Sequence, residues 1–329
     1  MQVPVGAASD LVDRFEELLA THSISVPRHT ETGADMLPFR SILEMVRQGF
    51  AGNPDDLRKE YTAALAVHDL AAKLLQVRHL PGFDTLIPHL RILAEGAIHL
   101  TEPPPSNSDG YNKLIEVYWA SLCLAAGLSV ELDHPTASDG RNPDIITSAT
   151  GRVDRHGYAF KTIRSQYPQS ILDHLRKGVD QIERSSSTAG IVALHLTPRL
   201  QSAAVWPEGG CFLHWGRPAI AVSEACHAML TQMVSENEPG TIDGLFRGKK
   251  TSGDVLCLGI CPTVSDKPDD GTADHDATEG SDARQDFGFE PVVRRVFRRI
   301  GRLEPPDADC PTLSDRHFLA VLKRFRMCR

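Results

Sequence analysis

From residue 111 onward the chain changes apolar pattern in a fixed order: a helix, three strands in close succession, a second helix and a fourth strand. "YNKLIEVYWASLCLAAG" has helical spacing and stops at Gly127, a residue suited to the left-handed position just past a helix. "LSVELDHP", "PDIITS", "GYAFKT" and "GIVALHL" read as strands. Between the last two, "PQSILDHLRKGVDQIERS" puts Ile171, Leu172, Leu175, Val179 and Ile182 on one helical face. A strand "CFLHW", a helix "SEACHAMLTQMVSE" and an apolar strand "DVLCLGICP" are expected further on. This order predicts an α/β fold with a central mixed sheet flanked by helices.

Residues 1–105 carry a different pattern and predict an all-helical N-terminal domain. "SDLVDRFEELLATH" repeats apolar residues at Leu11, Phe15, Leu18 and Leu19 behind a Ser/Asp cap. Further helices are expected from Pro38 to near Gly49, over "NPDDLRKEYTAALAVHDLAAKLLQVRHL", and over "FDTLIPHLRILAEGAIHL" with an interruption at Pro88. "TEPPPSNSDG" cannot continue a helix and marks the boundary to a second domain over 111–263. Residues 264–286 carry eight acids against two bases and predict a disordered acidic linker. A basic tail, 287–329, follows. In it "PVVRRVFRRIGR" splits on a helical wheel into an apolar half and an arginine half, so a short basic amphipathic helix is expected over 292–302.

Composition narrows the function classes. The net charge is −8, so affinity for nucleic acid has to come from local basic patches. The seven cysteines form no CxxC pair, which argues against a zinc site and fits reduced thiols in a cytoplasmic protein. The first residues lack the basic region and apolar core of a secretory signal, and no run is long enough to span a bilayer. GxSxG, Walker A, GxGxxG and HExxH are all missing.

Three polar residues fall where they are costly. Glu116 is the one acid on an otherwise apolar helix, so it needs a partner or a shifted pKa; the alternative is a wet edge shared with Asn112 and Lys113. Asp144 follows Pro143 and opens an apolar strand, although aspartate is disfavoured in strands. Lys161 closes "GYAFK"; if Tyr158 and Phe160 face the core, alternation turns Ala159 and Lys161 to a cleft or to solvent.

In this order and on these elements, Glu116, Pro143-Asp144 and Lys161-Thr162 resemble the PD-(D/E)XK nuclease superfamily, which has a restriction-endonuclease-like fold. The likeness covers about 111–200. It implies that Glu116, Asp144 and Lys161 are catalytic, and that Asp144 and Glu116 hold Mg²⁺ with the Phe160 carbonyl. It also implies a supporting role for Gln181 on the next helix. The departure is Ala159, which stands where the family has a carboxylate; Glu131 or Asp133 are the candidates to replace it. Mg²⁺ takes oxygen ligands and keeps several waters, so one lost carboxylate weakens such a site without removing it.

The expected function is Mg²⁺-dependent phosphodiester hydrolysis of nucleic acid, with DNA the expected substrate. Arg294, Arg295, Arg298 and Arg299 are the expected backbone contacts, with Arg141, Arg152, Arg155, Arg164, Arg176 and Lys177 as further candidates. The acidic linker is expected to compete for the tail arginines. The rivals are a catalytically inactive nucleic-acid-binding module on the same fold, and an assembly adaptor whose N-terminal helices contact a second copy or another protein.

Overall fold

The computed structural model describes residues 5–26, 37–38, 43, 58–95, 97–98, 110–134, 142–149, 152–200, 216–261 and 292–299. The helices are α1 (Val5–Thr21), α2 (Arg58–Val77), α3 (Ile87–Glu95), α4 (Gly110–Ala125), α5 (Pro168–Arg184), α6 (Gly216–Ser235) and α7 (Thr241–Phe246). A two-residue ladder joins β1 (Leu37–Pro38) to β2 (Ala97–Ile98). The main sheet contains β3 (Leu128–Leu132), β4 (Ile145–Ala149), β5 (Arg155–Thr162), β6 (Ala189–His195), β7 (Thr251–Cys261) and β8 (Val292–Arg299), paired in chain order. β4 is antiparallel to both β3 and β5, β6 and β7 run parallel to β5, and β8 returns antiparallel. The expected α/β class, a mixed sheet flanked by helices, is what the chain forms.

Period-two alternation sorts the sheet's side chains into two layers. Tyr158, Phe160, Ile191, Ala193, Leu256 and Leu258 face one apolar cluster, which also holds Leu114, Val117 and Cys123 of α4 and the buried residues of α1, α2 and α3. Ala159, Val192, Leu194, Val255 and Cys257 face the other, against Ile171, Leu175 and Val179 of α5, Met233 of α6 and Phe246 of α7. The N-terminal helices thus share one core with α4 and the sheet. Gly127 holds φ +75°, and its N–H donates to Leu124 O at 2.8 Å, ending α4 as its sequence predicts.

Gly178 is where α5 crosses β6. A Cβ there would stand 2.8 and 2.9 Å from the two γ-methyls of Val192, which is itself fully buried. Gly178→Ala is expected to destabilise the chain by about 1–3 kcal/mol, read as a lower urea midpoint at unchanged slope.

Several expectations change. The amphipathic helix expected over 292–302 does not form; 292–299 is strand β8, paired from Val292↔Cys261 to Arg299↔Asp254. "VVRRVFRR" is rich in valine, and β7 supplies a partner edge that no helical wheel takes into account. In a strand the repeat is two, so the argument that grouped Arg294, Arg295, Arg298 and Arg299 on one helical face no longer holds. Pro88 lies in the first turn of α3, after a 3₁₀ turn at Phe83–Leu86, instead of interrupting one long helix. Pro38 pairs in β1, and the rest of the helix expected over 38–49 lies outside the described residues except Leu43. The acidic linker, the strand "CFLHW" and the last basic run also lie outside them. Among the described residues no helix is long and apolar enough to cross a membrane.

Candidate functional site

Three elements meet at one end of the sheet. α4 brings Glu116, the start of β4 brings Asp144, and the end of β5 brings Lys161. Glu116 is buried, at 3% exposure, and a partner compensates it. Lys113, one turn earlier on α4, donates from Nζ to Oε1 at 2.8 Å and to Oε2 at 2.7 Å. His89 of α3, also buried, places Nδ1 3.1 Å from Glu116 Oε2, though off the line of a hydrogen bond. Glu116 therefore sits in the interior while keeping the Lys113 neighbour that the wet-edge alternative had assigned to it.

Asp144 Oδ2 accepts the Phe160 N–H at 2.6 Å, which ties the strand start to the middle of the motif strand. Lys161 Nζ lies 3.6 Å from the same oxygen and donates to the Phe160 carbonyl at 2.8 Å. Burial holds the Asp144 carboxyl above the usual range; the Lys161 ammonium pulls it down, and the nearby Glu116 carboxylate pushes it up again. Two carboxylates thus share one field, each matched by one ammonium.

Tyr158 and Phe160 do face the core, with their rings 5.4 and 5.9 Å from Trp119. Ala159 does not face a cleft. It is fully buried in the second apolar cluster, under α5. Ala159→Asp, which would restore the missing carboxylate, is expected to cost on the order of 3 kcal/mol and to restore no metal affinity. Thermal unfolding together with a Mn²⁺ titration checks both; wild-type stability with tighter metal binding would contradict this placement.

The supporting candidates divide. Glu131 is exposed and accepts from Arg155 Nη2 at 2.5 Å, so it is held away from Asp144. Asp133 is beside Asp144 through the backbone, its N–H donating to Asp144 O at 3.0 Å, while its carboxylate accepts from Asn142 Nδ2 at 3.3 Å. Gln181 is carried away from the site. Its neighbour Ile182 packs at Gly190, which pairs with Gly157, and Lys161 is four residues further along β5, roughly 13 Å. Arg155 and Arg176 are paired with Glu131 and Asp173, and Arg141 lies outside the described residues.

A buried chain of polar groups braces the site, and sequence reasoning did not find it. Thr162 Oγ1 donates to Asn112 Oδ1 at 2.8 Å, joining the end of β5 to the first turn of α4. His195 of β6, fully buried, places Nδ1 3.5 Å from Thr162 Oγ1 and Nε2 2.8 Å from Thr197 Oγ1. Thr162 and Asn112 each adjoin one of the two lysines, so this link fixes one carboxylate–ammonium pair relative to the other. Burial, reinforced by the Arg164 charge, lowers the His195 pKa to about 3. The only sequence signal was a His and a Thr two apart where an apolar strand ends.

Asp144, Glu116 and the Phe160 carbonyl are hard oxygen donors of the kind Mg²⁺ takes. As donors they would suit a site with few protein ligands, at which Lys113 and Lys161 now occupy the two carboxylates. Among the described residues no group of three or more His, Cys, Asp or Glu side chains is placed to hold a metal. No family model, curated protein or solved structure matches this chain.

Proposed function

We propose that this chain is a Mg²⁺-dependent phosphodiesterase of nucleic acid, with DNA the expected substrate, built on a restriction-endonuclease-like core. The observation that carries the reading is the meeting of Glu116, Asp144 and Lys161 around one carboxylate pair. The run α4, antiparallel β3-β4-β5, α5 and parallel β6 supports the core. Asp144, Glu116 and the Phe160 carbonyl would hold the ion, which when bound supplies water activation and charge neutralisation at a phosphate. Lys161, half-buried beside Asp144, would set its ammonium against the negative charge that develops on the scissile phosphate. Lys113 holds Glu116 through two hydrogen bonds, and the Thr162–Asn112 link ties α4 to the end of β5. Arg294, Arg295, Arg298 and Arg299 are proposed as phosphate-backbone contacts on their charge alone. The test is incubation of the full chain with labelled single- and double-stranded DNA and with RNA, in Mg²⁺ or in EDTA. Metal-dependent products from any substrate support the reading.

One observation favours a second reading, a nucleic-acid-binding module that does not cut. Both carboxylates already have ammonium partners, and Ala159 leaves no opening for a third. Binding that is unaffected by metal, with no products in Mg²⁺, is the outcome that selects it.

A further inference from the structure

Beyond the carboxylate pair, the same end of the sheet gathers positive charge. β5 and β6 are parallel, so their carboxyl ends emerge together, the position where α/β sheets place ligands. Lys161 and Arg164 follow from β5, and Arg199 from the 3₁₀ turn after β6. The early turns of α5 return His174 and Lys177 to this end: the charges of Lys177, Lys161 and Arg164 add to burial in lowering the His174 pKa. The Arg164 charge also lowers the His195 pKa, so it acts on both histidines.

Arg199 is the unexplained member. It is 7% exposed, and among the described residues no carboxylate forms an ion pair with it. Nη2 donates to Gln166 O at 2.9 Å, while Nε and Nη1 are buried and find no hydrogen-bond partner among the described residues. A guanidinium stays charged, and leaving its N–H groups unmatched away from water is costly. An oxyanion satisfies both the charge and the open donors.

We propose that the carboxyl ends of β5 and β6 form a binding site for a phosphate group, anchored by Arg199 beside Gln166, with Lys161, Arg164, His174 and Lys177 supplying positive charge at the same end of the sheet. This rests on the nuclease reading only for the source of the phosphate, an internucleotide phosphodiester beside the scissile one; free phosphate offers the same oxygens. Calorimetric titration of the full chain in EDTA tests it, with inorganic phosphate as one probe and a dinucleotide lacking terminal phosphates as the other. Arg199→Met keeps the volume and removes the charge, a change that buried sites tolerate. It is expected to fold at the wild-type melting temperature or above and to bind phosphate at least ~10-fold more weakly, about 1.4 kcal/mol. Lys177→Ala, at an exposed position, is expected to weaken phosphate binding in the same direction and serves where Arg199→Met does not fold. Binding of both probes assigns the site to the nucleic-acid backbone, and binding of phosphate alone assigns it to a free or terminal phosphate. No phosphate binding by the wild type, or wild-type affinity in both variants, overturns the proposal. Divalent metal is excluded throughout, so a chain that binds phosphate but never cleaves loses the nuclease reading and keeps this one.

Discussion

Asp144→Ala is expected to lower Mg²⁺-dependent cleavage by at least ~10³-fold in kcat, and Lys161→Ala by about 10²–10³-fold. Both follow from the same geometry. Asp144 supplies the one carboxylate that is joined to the motif strand, through the Phe160 N–H, and that faces both Lys161 and Glu116. Its removal leaves Glu116 alone, held by Lys113. Removing Lys161 leaves the carboxylate pair in place, so metal affinity should persist or rise while the rate falls. Glu116→Gln should lie between the two, because the amide keeps the volume of the side chain and loses the charge that Lys113 matches. Rates from single-turnover cleavage, with circular dichroism as the check on folding, decide the matter. Equal rates for Asp144→Ala and wild type would remove the site assigned here.

The second large effect is on stability against pH. His195 is fully buried, and its pKa is lowered to about 3 in the folded chain. The unfolded chain takes up that proton near pH 6.5. The sign follows from linkage: stability is fully present above about pH 6.5 and is lost as the pH falls toward 3, because only the unfolded state binds the proton in that window. The loss is on the order of 1 kcal/mol per pH unit from this residue alone. His174 and His68 also have lowered pKa values and act in the same direction. Urea unfolding in steps from pH 7.5 to 4.5 should therefore show a steep decline. His195→Gln, which cannot take up the proton, should be less stable at pH 7.5 and have a slope smaller by about one proton. A slope unchanged by the substitution would mean that His195 is not held neutral in the fold.

Much of the architecture could be read directly from the residues, because it rests on local pattern. The runs "PDIITS", "GYAFKT" and "GIVALHL" became β4, β5 and β6 with bounds shifted by one or two residues, and the face of α5 set by Ile171, Leu175, Val179 and Ile182 became its buried face. Glu116 was readable for a related reason: an acid on an apolar helix needs an explanation wherever that helix packs. What could not be read was tertiary. Nothing in the sequence places His89 of α3 against Glu116, or joins Thr162 to Asn112. The Val-Val-Arg-Arg repeat at 292–299 suits a helix considered alone, and only the open edge of β7 makes it a strand. Gln181 came from the resemblance, by its place on the next helix, and that place does not say which end of β5 its helix turn will pack against. Ala159 illustrates the same limit: alternation put it on the face of Lys161, and α5 covers that face at one position and leaves it partly open at the other. Arg199, beside a proline after a strand, carried no sequence signal at all.

The central claim is that Glu116 and Asp144 form one site able to hold a divalent ion beside Lys161. Mn²⁺ binding followed by electron paramagnetic resonance measures it directly, on the full chain and on Asp144→Asn, Glu116→Gln and Lys161→Met variants. The account predicts one bound ion in the wild type, its loss in Asp144→Asn, weaker binding in Glu116→Gln, and binding at least as tight in Lys161→Met. Mn²⁺ binding of equal strength in the wild type and Asp144→Asn, or no bound ion in any of the four, would contradict it.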